Sequence, residues 1–450
     1  MTLWSGRFSD GPSKILWDYT ADDIDRRLLP DDVRGSVVHV TMLGHVGLIT
    51  QSDTAEILGG LADISQEVID GTFTFSDQDE DVHSAVERRL IELIGQVGGK
   101  LHTGRSRNDQ IALDIRLYLA RMAEERVGQL KGLALLMAEK AEAVGESIIP
   151  SFTHLQQAQA IPLAHHLLAY SWMFLRDADR IVDASKRIKV SPLGAGASGG
   201  SSLPLDPKFS TAQLGWDATF DNSIDAIASR DAVAEYAFAC TQSMIHLSRL
   251  AEELILWTTT EFSWATYGDD VTTGSSAMPQ KKNPDIAELA RGRGGKAIGE
   301  LTTLLAIQKG LPMAYNRDLQ EDKAAVFSVD DLLTGTIAAI GALVESAAFD
   351  PPEPSAWVCS LDLAEVLVER GVPFREAHEV VGSLITALIA GGRDMSQTTA
   401  DDLAAADKRF LPEDLGVLTP EASVRRRRSP GGGSFESVQA QLVKLRLLLG

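Results

Sequence analysis

Four short stretches carry residue types that could do chemistry together. The first, residues 274–284, reads Gly-Ser-Ser-Ala-Met-Pro-Gln-Lys-Lys-Asn-Pro. A glycine followed by two hydroxyl residues is loop chemistry, and the far end reads as a helix start. Asn283 suits the N-cap, Pro284 the first helical position and Asp285 the positive helix end. Such a loop delivers Lys281, Lys282 and Asn283 to a helix N-terminus, where a carboxylate can bind. An ordinary surface loop entering a proline-started helix is the plainer alternative.

The second stretch, 103–110, holds two arginines and Asn108 ahead of a long helix, a pattern for charge-assisted bonds to a carboxylate or for a simple cap by Asn108 or Asp109. The third, Thr153-His154-Leu155-Gln156, offers the side chain best suited to moving protons near neutral pH, although a lone histidine is usually structural. The fourth, 315–323, places Tyr315, Gln320 and Lys323 in one short polar connection. Phenol, amide and ammonium together could hold a zwitterionic or guanidino-bearing molecule.

Long helices must position these stretches. Ile111, Ile115, Leu119 and Met122 recur at four-and-three spacing, and the pattern continues through Leu130, Leu133 and Met137 until Gly145 and Pro150. Further helical runs cover about 164–188, 228–260, 284–308 and 323–348. In the run over 228–260 Val233, Cys240, Leu247 and Leu254 form a heptad seam beside Ala237, Met244 and Ala251, which suits close helix packing. Little sequence between these runs reads as strand. The expectation is an all-α protein with a central long-helix bundle over 108–350. Smaller, mainly helical domains over 1–107 and 351–450 flank it, the second set off by Pro351, Pro352 and Pro354.

Composition narrows the function classes. With 42 Lys+Arg against 63 Asp+Glu the net charge is -21, which argues against nucleic-acid and anionic-membrane partners. The longest uncharged apolar run, 332–344, is short for a membrane span. No apolar leader is visible, and two cysteines, Cys240 and Cys359, read as buried thiols in a reducing compartment; a cytoplasmic location is expected. No histidine or cysteine pairing indicates a metal site. Gly196-Ala197-Ser198-Gly199-Gly200 matches a nucleophile-elbow pattern, but flanking Pro192 and Pro204 favour a plain glycine-rich loop. Arg425 to Arg428 read as an exposed basic patch.

The motif strings themselves go further. The loop ending Pro-Gln-Lys-Lys-Asn-Pro resembles the signature loop of the fumarase/aspartase superfamily, in the form of its argininosuccinate lyase branch. The strings at 103–110, 153–156 and 315–323 resemble that branch too, as do Trp4-Ser5-Gly6-Arg7-Phe8 and Asp25-Arg26-Arg27-Leu28. The resemblance implies elimination of arginine from argininosuccinate to leave fumarate, without a cofactor, in a homotetramer whose sites are shared between subunits. It implies substrate contacts at Asn108, Thr153, Asn283, Tyr315, Gln320 and Lys323.

The implied chemistry starts with loss of a weakly acidic proton beside a carboxylate, so donors aimed at the developing dianion matter most. Lys281, Asn283 and the helix start are the candidates. Ser275 and His154 share the base and acid roles in an order the residues leave open, with Glu288 to orient a histidine. One position departs from the branch: Ala21 stands where a substrate-contacting serine is usual, and Thr20 beside it, whose hydroxyl would need a small shift, is not counted as a site residue. A sister fumarate-releasing lyase and an inactive homologue like the lens delta-crystallins remain the rival readings.

Overall fold

The computed structural model describes residues 13–21 and 23–449. The Trp4–Phe8 string lies outside the described residues. The chain opens with α1 (Lys14–Thr20), capped by the Ser13 hydroxyl. Three longer helices follow, α2 (Leu29–His45), α3 (Gln51–Ile69) and α4 (Val82–Ile94). Their facing stripes bury Leu43, Ile57, Leu61, Ile64 and Leu90 in one core. Gly44 lets α2 approach α3, since a Cβ there would meet the Thr54 hydroxyl at 2.5 Å.

Helix α5 (Arg107–Ala143) then runs for 37 residues. It leads into a hairpin that the sequence reading did not anticipate: β1 (Ile148–Thr153) pairs antiparallel with β2 (Gln156–Pro162). After α6 (Leu163–Ile188) come a two-residue strand β3 (Val190–Ser191), α7 (Pro207–Gln213), β4 (Ala218–Thr219), α8 (Ser223–Ala228) and α9 (Asp231–Trp257). The heptad seam of α9 is buried throughout, with Cys240, Met244, Leu247, Ala251 and Leu254 all at 0% exposure. Short strands β5 (Ala265–Thr266), β6 (Thr273–Gly274) and β7 (Lys282–Asn283) precede α10 (Asp285–Gln308) and α11 (Asp322–Ser346). Strand β8 (Ala348–Phe349) closes on β5. The rest is helical: α12 (Ser360–Glu369), α13 (Phe374–Ala390), α14 (Ala400–Ala406), α15 (Pro420–Arg425) and α16 (Phe435–Leu449).

By internal contacts the chain divides into two compact units. The first takes residues to Gly128, Asp177–Gln242 and Gly295–Thr334; the second takes Gln129–Arg176, Ser243–Gly294 and the chain from Gly335. All five long helices give residues to both. In the first unit, fully buried Asp330 on α11 accepts from Arg126 on α5 at 2.9 and 2.7 Å and from Tyr236 on α9 at 2.6 Å. That network pins three helices through one carboxylate, and removing a single partner from it would leave a buried charge exposed to its full desolvation cost. By length and apolarity the helical stretch around α11 could cross a membrane. Its paired, buried Asp330 and its buried Val326, Val329 and Leu333 mark it as a core helix.

Two local expectations are corrected. Asn283 is not the cap of α10. It lies in β7 opposite Thr273, and the carbonyl of Pro284 accepts the first helical bonds from Ala287 and Glu288. The arginines at 425–428 are not simply an exposed patch. Arg427 is bound to buried Asp362 at 3.0 Å, Arg426 to Glu369 at 3.2 Å, and Arg425 to Glu421 at 2.9 Å. A run of like charge is tolerated there because each of these three finds a carboxylate.

Candidate active site

The first unit holds a cavity of about 190 Å³. One wall is the start of α5, which contributes Arg107, Asn108 and Ile111. A second is the connection into α11, where the turn Arg317–Glu321 brings Arg317 and Gln320, and the first turn of α11 brings Lys323, to the cavity beside Tyr315. The acidic segment ahead of α4 supplies Glu80 and Asp81, the first turn of α4 adds His83, and Thr20 and Asp25 complete the lining. Asn108, Tyr315, Gln320 and Lys323, four expected substrate contacts, are thus brought together.

Their supports are specific. The Asn108 amide donates to the Ala197 carbonyl at 2.9 Å. Next to it, Asp109 accepts from the backbone N–H groups of Gly194 at 3.1 Å and Gly196 at 2.9 Å. Gly196 needs its φ of 61°, and a Cβ there would lie 2.7 Å from the Gly200 carbonyl. The glycine loop is therefore no nucleophile elbow, yet it positions Asn108. Lys323, only 3% exposed, donates to the Gln320 carbonyl at 2.9 Å. Burial pushes the Tyr315 hydroxyl above its usual range, so it stays a donor.

The cavity carries both charge signs. Arg107 contacts Asp81 at 3.0 Å and Glu80 at 3.3 Å. Asp25 is nearly enclosed, and burial pushes its carboxyl up to about 6 despite the opposing field of His83. Behind the lining, His83 Nδ1 lies 2.9 Å from Asp32 and 3.4 Å from Asp114, all three buried. These atoms lie within 4.8 Å of one another, a spacing a metal ion could bridge. Positive charge is already supplied there. Burial opposes it, but Asp32 holds the imidazole above its usual range, and Arg105 acts on both carboxylates. Burial and the neighbouring Asp32 push the Asp114 carboxyl well up.

The remaining six expected residues, Thr153, His154, Ser275, Lys281, Asn283 and Glu288, lie in the second unit. His154 and Leu155 form the two-residue tip of the β1–β2 hairpin, with φ of 55° and 57°. Both are exposed, and Thr153 pairs with Gln156 just below them. Phe152 anchors the same strand through its ring against Phe262 and Trp264, with centroids 5.7 and 5.8 Å apart.

Ser275 and Lys281 sit on a tongue closed by the β6–β7 ladder, Thr273 opposite Asn283 and Gly274 opposite Lys282. The Ser275 hydroxyl accepts from the N–H groups of Ala277 at 3.3 Å and Met278 at 3.1 Å, which shapes the turn. The two lysines differ. Lys282 donates to the Tyr267 carbonyl at 2.9 Å and to Asp269 at 2.7 Å, whereas the exposed Lys281 ammonium has no partner among the described residues. Glu288 is exposed near the start of α10.

Sequence reasoning missed Thr20, Asp25, Glu80, Asp81, His83 and Arg317 as lining residues. The acidic run 77–81 followed by His83 was the available signal, but nothing local says which residues face a cavity. Thr20 does not offer its hydroxyl, which donates to the Leu16 carbonyl at 2.7 Å; its own carbonyl faces the 317–320 turn instead.

Comparison with known proteins places this arrangement. The chain matches the family model described as "Lyase" over residues 6–299 and that described as "Argininosuccinate lyase C-terminal" over 358–425. It is 45% identical to the argininosuccinate lyase of Frankia casuarinae, covering 100% of this chain and 98% of that one. Against that of Solibacter usitatus it is 42% identical, over 100% and 99%. Among solved structures, EDDS lyase in complex with formate matches with a TM-score of 0.82 at 30% identity, covering 96% of this chain and 88% of that one. Class II fumarase from Schistosoma mansoni shares the fold, with a TM-score of 0.75 at 16% identity over 92% and 94%. The chain belongs to the argininosuccinate lyase family of the fumarase/aspartase fold.

Proposed function

We propose that the protein is an argininosuccinate lyase. It would catalyse the reversible β-elimination of argininosuccinate to L-arginine and fumarate, the last step of arginine biosynthesis. The observation that carries the reading beyond kinship is the mixed-sign cavity. Asp25, Glu80 and Asp81 stand there beside Arg107, Arg317 and Lys323. Carboxylates interleaved with cations suit a molecule with a guanidinium, an ammonium and a carboxylate better than a bare dianion such as fumarate. The cavity therefore takes the arginine half, with Asn108, Tyr315, Gln320 and Lys323 as its contacts.

The dicarboxylate half falls to the groups of the second unit. Lys281 and Asn283 stabilise the dianion that forms when the proton leaves the carbon next to the carboxylate. Ser275 and His154 move the two protons, one from that carbon and one to the leaving guanidino nitrogen, and Thr153 contacts substrate beside His154. Ser275 can act as base only with its alkoxide stabilised, a role that suits the exposed Lys281 ammonium. Glu288 orients a histidine. The substrate carboxylate is the electron sink, so the scheme uses no cofactor. We further propose a homotetramer in which each site draws on several subunits, because residues on distant parts of long helices are brought together by association of copies.

The test is fumarate release, followed by ultraviolet absorbance, from argininosuccinate, adenylosuccinate, aspartate and malate offered separately. Release from argininosuccinate alone, lost in Ser275→Ala, is the expected result. Release from a different substrate moves the protein to a sister activity. No release from any of them returns the inactive-homologue reading.

A further inference from the structure

The connection 315–323 touches the rest of its cavity through one side chain above all, that of Arg317. Its Nη2 donates to the Thr20 carbonyl at 3.0 Å and reaches Glu80 Oε1 at 3.4 Å, while its Nε donates to Gln320 Oε1 at 3.2 Å. Gln320 adds a longer bond from Nε2 to the same Thr20 carbonyl, at 3.4 Å. Glu80 in turn accepts from Arg107 Nη1 on its other oxygen, at 3.3 Å. One guanidinium thus fastens three walls: the end of α1, the acidic segment ahead of α4 and, through Glu80, the start of α5.

The planar fork matters here. A guanidinium presents donors in fixed directions: here Nη2 holds the carbonyl and the carboxylate while Nε holds the Gln320 side-chain oxygen, a spread of three partners that the single nitrogen of an ammonium cannot match with the same geometry. Gln320 and Lys323 depend on that fixation. The Gln320 side chain is held by Arg317 and Thr20, and Lys323 donates to the Gln320 carbonyl. Arg317 itself is half-exposed and already engaged, so it acts on a ligand through these neighbours.

We propose that Arg317 is a positioning residue for the amino-acid half of the substrate: it clasps the Thr20 carbonyl and Glu80 so that Gln320 and Lys323 are held ready for the arginine moiety. The inference rests on the reading of the cavity as the arginine subsite. It also gives Thr20 a role through its backbone, one that needs no hydroxyl at position 21.

The reverse reaction separates the two halves, because arginine and fumarate are then independent substrates. In Arg317→Ala the KM for arginine should rise about tenfold, the order expected when a charge-assisted contact that orders a site is lost, while the KM for fumarate stays within about twofold. Arg317→Lys should lie between wild type and Arg317→Ala, since an ammonium can keep the Thr20 and Glu80 contacts but has no second nitrogen for Gln320. Calorimetric titration of arginine alone onto each variant should give the same ranking. A merely structural role would move both KM values together, and that result, or no change in either, overturns the proposal. If Arg317→Ala does not fold, Arg317→Lys with arginine affinity equal to wild type overturns it as well. A wild-type protein that binds no arginine and forms no argininosuccinate overturns the functional reading and this inference with it. Wild-type activity with an unaltered Arg317 variant overturns this inference alone.

Discussion

The cavity of the first unit and the tongue of the second both carry catalytic-looking charges, but they are wired in opposite ways. In the cavity, Arg107 and Arg317 share Glu80, Lys323 is nearly buried on a carbonyl, and Asn108 is held by a glycine loop that Asp109 fastens. On the tongue, Lys281 is exposed and unpaired among the described residues, and Ser275 is occupied with its own turn. Under the proposed function the contrast matches what each would have to do. A recognition site gains from groups already fixed, because little ordering entropy remains to be lost on binding. A group that must stabilise charge only in the transition state has little effect while it is in water. Two charges about 4 Å apart interact by about 1 kcal/mol in water and about 4 kcal/mol at an effective dielectric of about 20. The tongue therefore acquires its electrostatic strength only when a ligand and surrounding protein exclude solvent.

The sharpest way to break this contrast is at the two lysines. Lys281→Met should lower kcat by about 10²–10³, the usual effect of losing one donor to a developing oxyanion, without lowering the melting temperature. Lys282→Met removes a tie to Asp269, whose side chain is 97% exposed, and should leave the melting temperature nearly unchanged. Initial rates and thermal melts on both variants check this. A Lys281→Met protein retaining more than about a tenth of its kcat would mean that the free ammonium is not the charge-stabilising group.

A middle-sized effect separates the pre-wired side by pH. Burial raises the Asp25 carboxyl to about 6, so the free protein holds a proton there that the unfolded chain releases near the ordinary carboxylate value. This contribution to stability is full below the ordinary value and is lost as pH rises through about 6. Ligand binding runs the other way. A cationic group binds the ionised carboxylate, so arginine affinity should fall as pH drops below about 6, by up to about tenfold per unit. Asp25→Asn should flatten that limb. Calorimetry across this range would show it, and a pH-independent affinity would remove Asp25 from the arginine contacts.

The difference between the two regions also explains how much could be read from the chain. The helices were legible because their apolar spacing is dense: the α9 seam from Val233 to Leu254 is buried as expected. The motif loops were legible because their chemistry is contiguous. What stayed hidden is what assembles across distance. Glu80 meets Arg107 and Arg317 from positions 27 and 237 residues away, and no local pattern announces such a pairing. The hairpin was hidden for another reason. Its tip is His154-Leu155, not the Asn-Gly or Asp-Gly that usually marks a two-residue turn. Asn283 misled in the opposite sense, since its residue type suits a cap but the β6–β7 ladder claims its backbone.

That hairpin tip gives the smallest and most local test. Two successive non-glycine residues with φ near 55° hold the left-handed conformation at a cost of about 1–2 kcal/mol each. Leu155 is 77% exposed, so little apolar burial offsets its share. Leu155→Gly removes that strain and adds back about 0.4–1 kcal/mol of unfolded-state entropy, leaving a net gain of about 0.5–1 kcal/mol. The melting temperature should therefore rise slightly. Activity is expected to move the other way, because strain kept at an exposed turn makes sense where it fixes the direction of His154. A stability gain with a modest fall in kcat would mark the tip as tuned for function. A gain with kcat unchanged would leave the strain without a catalytic purpose, and a loss of stability would mean that Leu155 makes contacts in the assembled protein that outweigh its backbone cost.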